Sequence, residues 1–168
     1  CFNQINGGSI EVDVVKKSSK YKECKDLINW VLESEHVNQY NEIKKHKSFY
    51  NECLNHKKLL KKLLVTLKKQ NKKVVGYGAS TKGNVLLQFC GINSKIISNI
   101  AEVNKYKFNR YTPGSKIKIV SEKSVKLKKP DYMLVLPWHF KDYIVKRERD
   151  FLKKGGKLIF PLPEIEIV

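Results

Sequence analysis

A chain of 168 residues, 41% of them hydrophobic, has apolar surface enough for one compact core and too little length for a second large domain. Its net charge of +18 would attract polyanions, but only Arg110, Arg147 and Arg149 carry the guanidinium fork that specific phosphate and guanine readout favours, so solvated lysine faces are the better reading and nucleic acid is not expected as a partner. The four cysteines form no CxxC pair, which argues against a metal or redox site, and Cys1 with no leader or membrane-length apolar run suggests a soluble, cytoplasmic fragment of a longer protein.

Residues 5–16 open with a Gly-Gly turn and alternate Ile10, Val12 and Val14 against polar neighbours, the period of a half-buried strand. No partner strand is near in sequence, so its sheet is expected to belong to a missing upstream domain. From Tyr21 to about Gln70 there is no Pro or Gly, and Leu27, Ile28, Val31 and Leu32 recur at helical spacing. A break around 34–38 separates a first helix from a longer one whose buried stripe is expected at Ile43, Phe49, Cys53, Leu59, Leu60, Leu63, Leu64 and Leu67. His36, His46 and His56 fall ten residues apart, on different faces of this region, and are read as surface residues.

Thereafter the pattern becomes strand, turn, helix. A strand over 73–78 ends in glycine, and a helix over 82–90 follows, with Val85, Leu86 and Phe89 as its apolar face. Further strands are predicted at 96–103, 117–120, 132–137 and 157–161, with a helix over about 140–153. This alternation predicts an α/β, Rossmann-like parallel sheet flanked by helices. The expected division is residues 1–20 as the end of an upstream domain, 21–71 as helical linker and packing helices, and 72–168 as the Rossmann-like domain.

Ligands of such sheets bind beyond the carboxyl ends of the strands. VVGYGASTKGN (74–84) places Gly76 and Gly78 before Ser80, Lys82 and Asn84 at a helix start, where unpaired N–H groups attract anions. Ser80 or Thr81 could equally be a plain N-cap, and the glycine spacing misses the dinucleotide fingerprint. FNRYTPGSKI (108–117) contains a Pro-Gly turn flanked by Arg110, Tyr111, Thr112 and Ser115. LPWHF (136–140) ends a strand with Trp138, which could stack on a ring, and His139, which could donate a hydrogen bond or exchange a proton. A lone histidine there is more often structural, and no nucleophile at recognisable spacing accompanies it.

Four segments in one order, NGGSIEVDV, VVGYGASTKGNVLLQFCGI, EVNKYKFNRYTPGSKIKI and PDYMLVLPWHFKDYIVKRERDFLKKGGKLIFPLPEIEI, resemble the C-terminal domain of sugar C-methyltransferases. The resemblance covers nearly the whole chain from about Asn6. It implies an enzyme that removes a proton α to the ketone of a nucleotide-linked deoxy-keto-sugar and methylates the resulting enolate with S-adenosylmethionine. The donor site and the proton-abstracting residues are implied to lie in an upstream methyltransferase domain, leaving this fragment inactive alone, with no cofactor of its own. Here the resemblance implies a substrate crevice: Gly76, Tyr77, Gly78, Ser80, Lys82 and Asn84 on the phosphate and sugar side, with Tyr111, Thr112, Trp138 and His139 lining it. The family often has Trp-Asn-Phe where this chain has Trp138, His139 and Phe140. Competing readings are a free-standing basic module for nucleic acid and a nicotinamide-dependent oxidoreductase, the latter needing Glu102 to grip a ribose.

Overall fold

The computed structural model describes residues 2–3 and 8–168. The chain divides into two compact units, Cys1–Leu54 and Asn55–Val168.

In the first unit, β1 (Phe2–Asn3) pairs antiparallel with β2 (Ser9–Ile10), and α1 (Lys25–Val37) precedes the start of α2 (Ile43–Lys69). The predicted strand over 5–16 is thus corrected. Residues 5–7 lie outside the described residues; of the remainder only Ser9 and Ile10 are strand, and their partner is local. Val12 and Val14 are 71% and 88% exposed, since alternation without a neighbouring ladder has no backbone hydrogen bonds to hold it. The helix break falls at 38–42, where Gln39 takes a left-handed φ of 58°. No residue of α1 is buried, although Phe2 meets Trp30 edge-on with ring centroids 6.0 Å apart.

The second unit holds a six-stranded sheet in the order β5-β4-β3-β6-β7-β8: β3 (Val74–Tyr77), β4 (Asn99–Glu102), β5 (Lys118–Ser121), β6 (Tyr132–Val135), β7 (Lys157–Phe160) and β8 (Glu166–Ile167). All neighbours are parallel except β7 and β8. The five parallel strands therefore form the expected Rossmann-like sheet. All four residues of β3 are buried, as a strand covered on both faces requires.

Alternating side chains divide the core. Val74, Ile100, Leu134 and Ile159 point to the face covered by the last turns of α2 and by α3 (Thr81–Cys90), whereas Val75, Ala101, Met133 and Leu158 point to the face covered by α4 (Glu122–Leu127), α5 (Lys141–Arg147) and α6 (Arg149–Lys153). The unit begins inside α2 because Leu60, Leu64 and Leu67 are buried with this core; Leu60 and Leu64, fully buried, each contribute about 1.5–3 kcal/mol of transfer free energy. The rest of the expected stripe is corrected: Ile43, Phe49 and Leu59 are 69%, 65% and 51% exposed, and Cys53 and Leu63 are half-buried. On α3 the buried positions are Gly83, Leu86, Leu87 and Cys90, whereas Val85 is 66% exposed. The predicted helix over 140–153 is two short helices meeting at Glu148, whose φ of −95° and ψ of 20° turn its buried side chain inward. Helix α4 went unpredicted because six residues with one buried apolar anchor, Val125, show no periodicity. Among the described residues no helix is long and apolar enough to cross a membrane.

Candidate functional site

The chain runs from β3 to β4 on one side and later returns to β6 on the other, so the crevice for a ligand opens at the carboxyl end of β3. Three glycines shape it, mainly through packing. A Cβ on Gly76 would stand 2.7 Å from Ile100 Cγ1, and one on Gly83 would stand 2.5 Å from Leu136 Cβ, which fixes α3 tightly against the sheet. Gly78 has φ +78°, and its missing Cβ would lie 2.9 Å from the Pro137 ring. Ser80 caps α3, its hydroxyl accepting the Gly83 N–H at 3.0 Å.

At the end of β4 the Glu102 carboxylate, 8% exposed, accepts N–H groups of Ala79 at 2.9 Å, Val103 at 2.8 Å and Asn104 at 3.0 Å. Lys107 Nζ stands 3.5 Å from the same carboxylate and donates to the Ala79 carbonyl at 2.9 Å. Burial pushes the Glu102 pKa up, but the three backbone donors and Lys107 outweigh it and hold the carboxyl below its ordinary value.

Tyr77 projects to the other face of the sheet, where its hydroxyl donates to Glu148 Oε1 at 2.9 Å and accepts from Arg147. Arg147 also donates to Glu122 Oε2 at 2.7 Å, and Lys126 joins Glu122 and Glu148, both at 2.7 Å. Burial and the hydrogen bond to Glu148 raise the Tyr77 pKa, so the phenol stays protonated. Burial raises that of Glu122 as well, yet its bonds to Lys126 and Arg147 prevail and lower it. Between Glu102 and this network opens a cavity of about 280 Å³, walled also by Phe140 and Tyr143.

A pH prediction follows from the two carboxylates. With folded-state values below the ordinary 4.5, Glu102 and Glu122 bind fewer protons folded than unfolded. Their stabilisation is present above that value and drains away as pH falls through and below it. The urea midpoint is expected to drop on acidification more in the native chain than in a Glu102→Gln, Glu122→Gln variant; equal slopes would contradict it.

Several sequence-predicted site residues do converge. Tyr77, Gly78 and Ser80 line the cavity, Lys82 is exposed on the first turn of α3, and Trp138 and His139 form a 3₁₀ turn directly after Pro137. Burial and the Lys82 charge both lower the His139 pKa, keeping the imidazole neutral near pH 7. Its Nδ1 and the Asn84 Oδ1 are shielded and meet no hydrogen-bond partner among the described residues.

Others do not reach the crevice. Gly76 is sealed under Ile100 and serves packing. Tyr111 bridges to Lys118, the first residue of β5, and Thr112 is buried against Ser115 Oγ at 2.6 Å and the Ile117 N–H at 2.9 Å. They stand at the amino edge of the sheet, a strand length of about 13 Å from the carboxyl edge, because residues 109–111 run back along β5. The grouping of Tyr111 and Thr112 with Trp138 and His139 is corrected accordingly. Sequence reasoning missed Lys107, Glu122, Phe140, Tyr143 and Arg147 as cavity residues; only the scarcity of arginine marked one of them. His36 and His46 are exposed and His56 is half-buried. Among the described residues, no group of three or more His, Cys, Asp or Glu is placed to hold a metal ion.

Comparison with known proteins identifies the relatives of this arrangement. The family described as the C-methyltransferase C-terminal domain matches residues 4–163. The C-methyltransferase NovU of Streptomyces niveus is 30% identical over 164 residues, covering 98% of this chain but 39% of the relative. The chain thus spans about two fifths of the length of the curated relative that it matches.

Proposed function

This chain belongs to the C-methyltransferase C-terminal domain family, and from that membership we propose that it is the substrate-side domain of an S-adenosylmethionine-dependent enzyme methylating a carbon of a nucleotide-linked keto-deoxysugar. The observation that carries the reading is the cavity at the switch point of the sheet, lined by Ser80, which caps the helix bearing Lys82, and by Pro137 and Phe140, which stand on either side of the Trp138-His139 pair. A lysine on the helix start beside a ring-sized hollow suits an anionic ligand with a ring at one end.

The domain's share of the reaction is positioning. Binding energy gained on the nucleotide, remote from the reacting carbon, orients the sugar against the methyl donor. Lys82 attracts the phosphates, and the neutral His139 offers a hydrogen bond as asparagine would. S-adenosylmethionine supplies the methyl group in the whole enzyme, but the turn after β3 does not fit it: Gly76 is covered by Ile100, and Glu102 is already engaged by three backbone donors. In this reading residues 1–20 complete an upstream methyltransferase domain, residues 21–71 link and pack, and donor and base lie outside this chain.

Calorimetry tests the assignment. Nucleoside diphosphates are expected to give saturable heats with this chain, with preference for one base, whereas S-adenosylmethionine gives none and no methyl transfer occurs. Micromolar donor affinity would move the donor site into this chain, and indifference to every nucleotide would remove the substrate role.

A further inference from the structure

We infer that Glu102 bars phosphate from the turn between β3 and α3 and thereby reserves the cavity for an uncharged ring, with the phosphates of an anionic ligand seated outside it. In open α/β sheets, phosphates are held by N–H groups of the first strand-to-helix turn. Here the Ala79 N–H is already given to Glu102 Oε2 at 2.9 Å, the Gly83 N–H to Ser80 Oγ at 3.0 Å, and the Ser80 N–H to the Gly78 carbonyl at 3.0 Å. Glu102 is not free to swing aside: its other oxygen accepts from Val103 and Asn104, and Lys107 holds it to the Ala79 carbonyl. A phosphate reaching Ala79 would meet this desolvated anion at contact, and like charges at that separation cost more than one hydrogen bond returns.

The lining of the cavity fits the same occupant. In a chain of net charge +18, its charged residues balance: Glu102 is paired with Lys107 at 3.5 Å, and Glu122 with Arg147 at 2.7 Å. Phe140 and Tyr143, 51% and 67% exposed, supply aromatic side chains to its wall. A balanced, partly aromatic hollow favours a neutral ring bearing carbonyl or hydroxyl groups over an anion. At about 280 Å³ it lies just below the range of sites that enclose a whole drug-sized ligand, so it takes one end of a nucleotide sugar, either the base or the sugar ring. The exclusion of phosphate stands on this geometry alone, while the ring's being part of a nucleotide sugar rests on the function proposed above.

Amide NMR of this chain, titrated separately with inorganic pyrophosphate, thymidine and a methyl 6-deoxyhexoside, tests the proposal. Pyrophosphate is expected to leave the Gly78 and Ala79 amide signals in place, while one of the two neutral rings shifts Phe140 and Tyr143; which ring does so names the moiety. In Glu102→Gln and Glu102→Ala, pyrophosphate should move the Ala79 signal and bind about tenfold more tightly, as expected when a charge-assisted contact is unmasked. Saturable movement of Ala79 by pyrophosphate in the native chain would overturn the barrier, and so would folded variants that bind it no better. If both variants fail to fold, the native titration alone decides. Response to neither ring would overturn the ring assignment and, with the barrier intact, would count against the substrate role and not against Glu102.

Discussion

Replacing Glu148 with alanine is expected to destabilise the sheet-bearing unit by about 3 kcal/mol, the lower end of what breaking a buried ion pair costs. Its side chain is 1% exposed and accepts from both the Tyr77 hydroxyl and Lys126. Truncation leaves the buried phenol without its acceptor and removes the anion that faces two cations, Lys126 at 2.7 Å and Arg147 at 3.9 Å. The figure sits at the lower end because the Lys126 side chain is 39% exposed and can turn to water, and Glu122 stays within reach of both cations. Glu148→Gln keeps an acceptor for Tyr77 and loses only the charge, so a smaller loss is expected. Urea unfolding with an unchanged m-value measures both. A loss below about 1 kcal/mol for the alanine variant would show that the network is screened by solvent and leaves the fold to the apolar core.

On the proposed function, Lys82→Ala in the full-length enzyme is expected to raise KM for the nucleotide sugar about tenfold or more, since a charge-assisted contact is worth roughly 1.5–3 kcal/mol. Lys82 lies on the first turn of a ten-residue helix, where on that function its ammonium meets a phosphate seated outside the turn that Glu102 closes. Its exposure means that the substitution removes no core packing. The donor's affinity should be unchanged and kcat only slightly altered, because the contact is remote from the reacting carbon and is made in ground and transition states alike. Arginine at this position should recover most of the binding. An unchanged KM in a folded variant would leave Lys82 as one more solvated lysine.

The elements with strong local patterns were legible without the structure. The apolar runs around 74–77, 99–102, 118–121, 132–135 and 157–160 are strands, and the Pro-free, Gly-free stretch is helix, because burial on both sheet faces or along a helical stripe is written in consecutive residues. The four motif segments were enough to place the chain in its family, and the glycine turn and the Trp-His turn lie at one edge of the sheet, as their positions after β3 and β6 implied. Which polar atoms remain available there was not legible. Glu102 meets Ala79 across 23 residues, and Tyr77 meets Arg147 and Glu148 across 70 and 71, separations at which no sequence periodicity operates. Tyr111 and Thr112 follow β4 in the chain, yet the connection doubles back along β5 and leaves them at the opposite edge. Local hydrophobic spacing decides what a segment becomes, since each residue's burial depends on its near neighbours in the element. The partners that consume a carboxylate or hydroxyl are brought together by strand order and crossover path, and these exist only once the sheet is assembled.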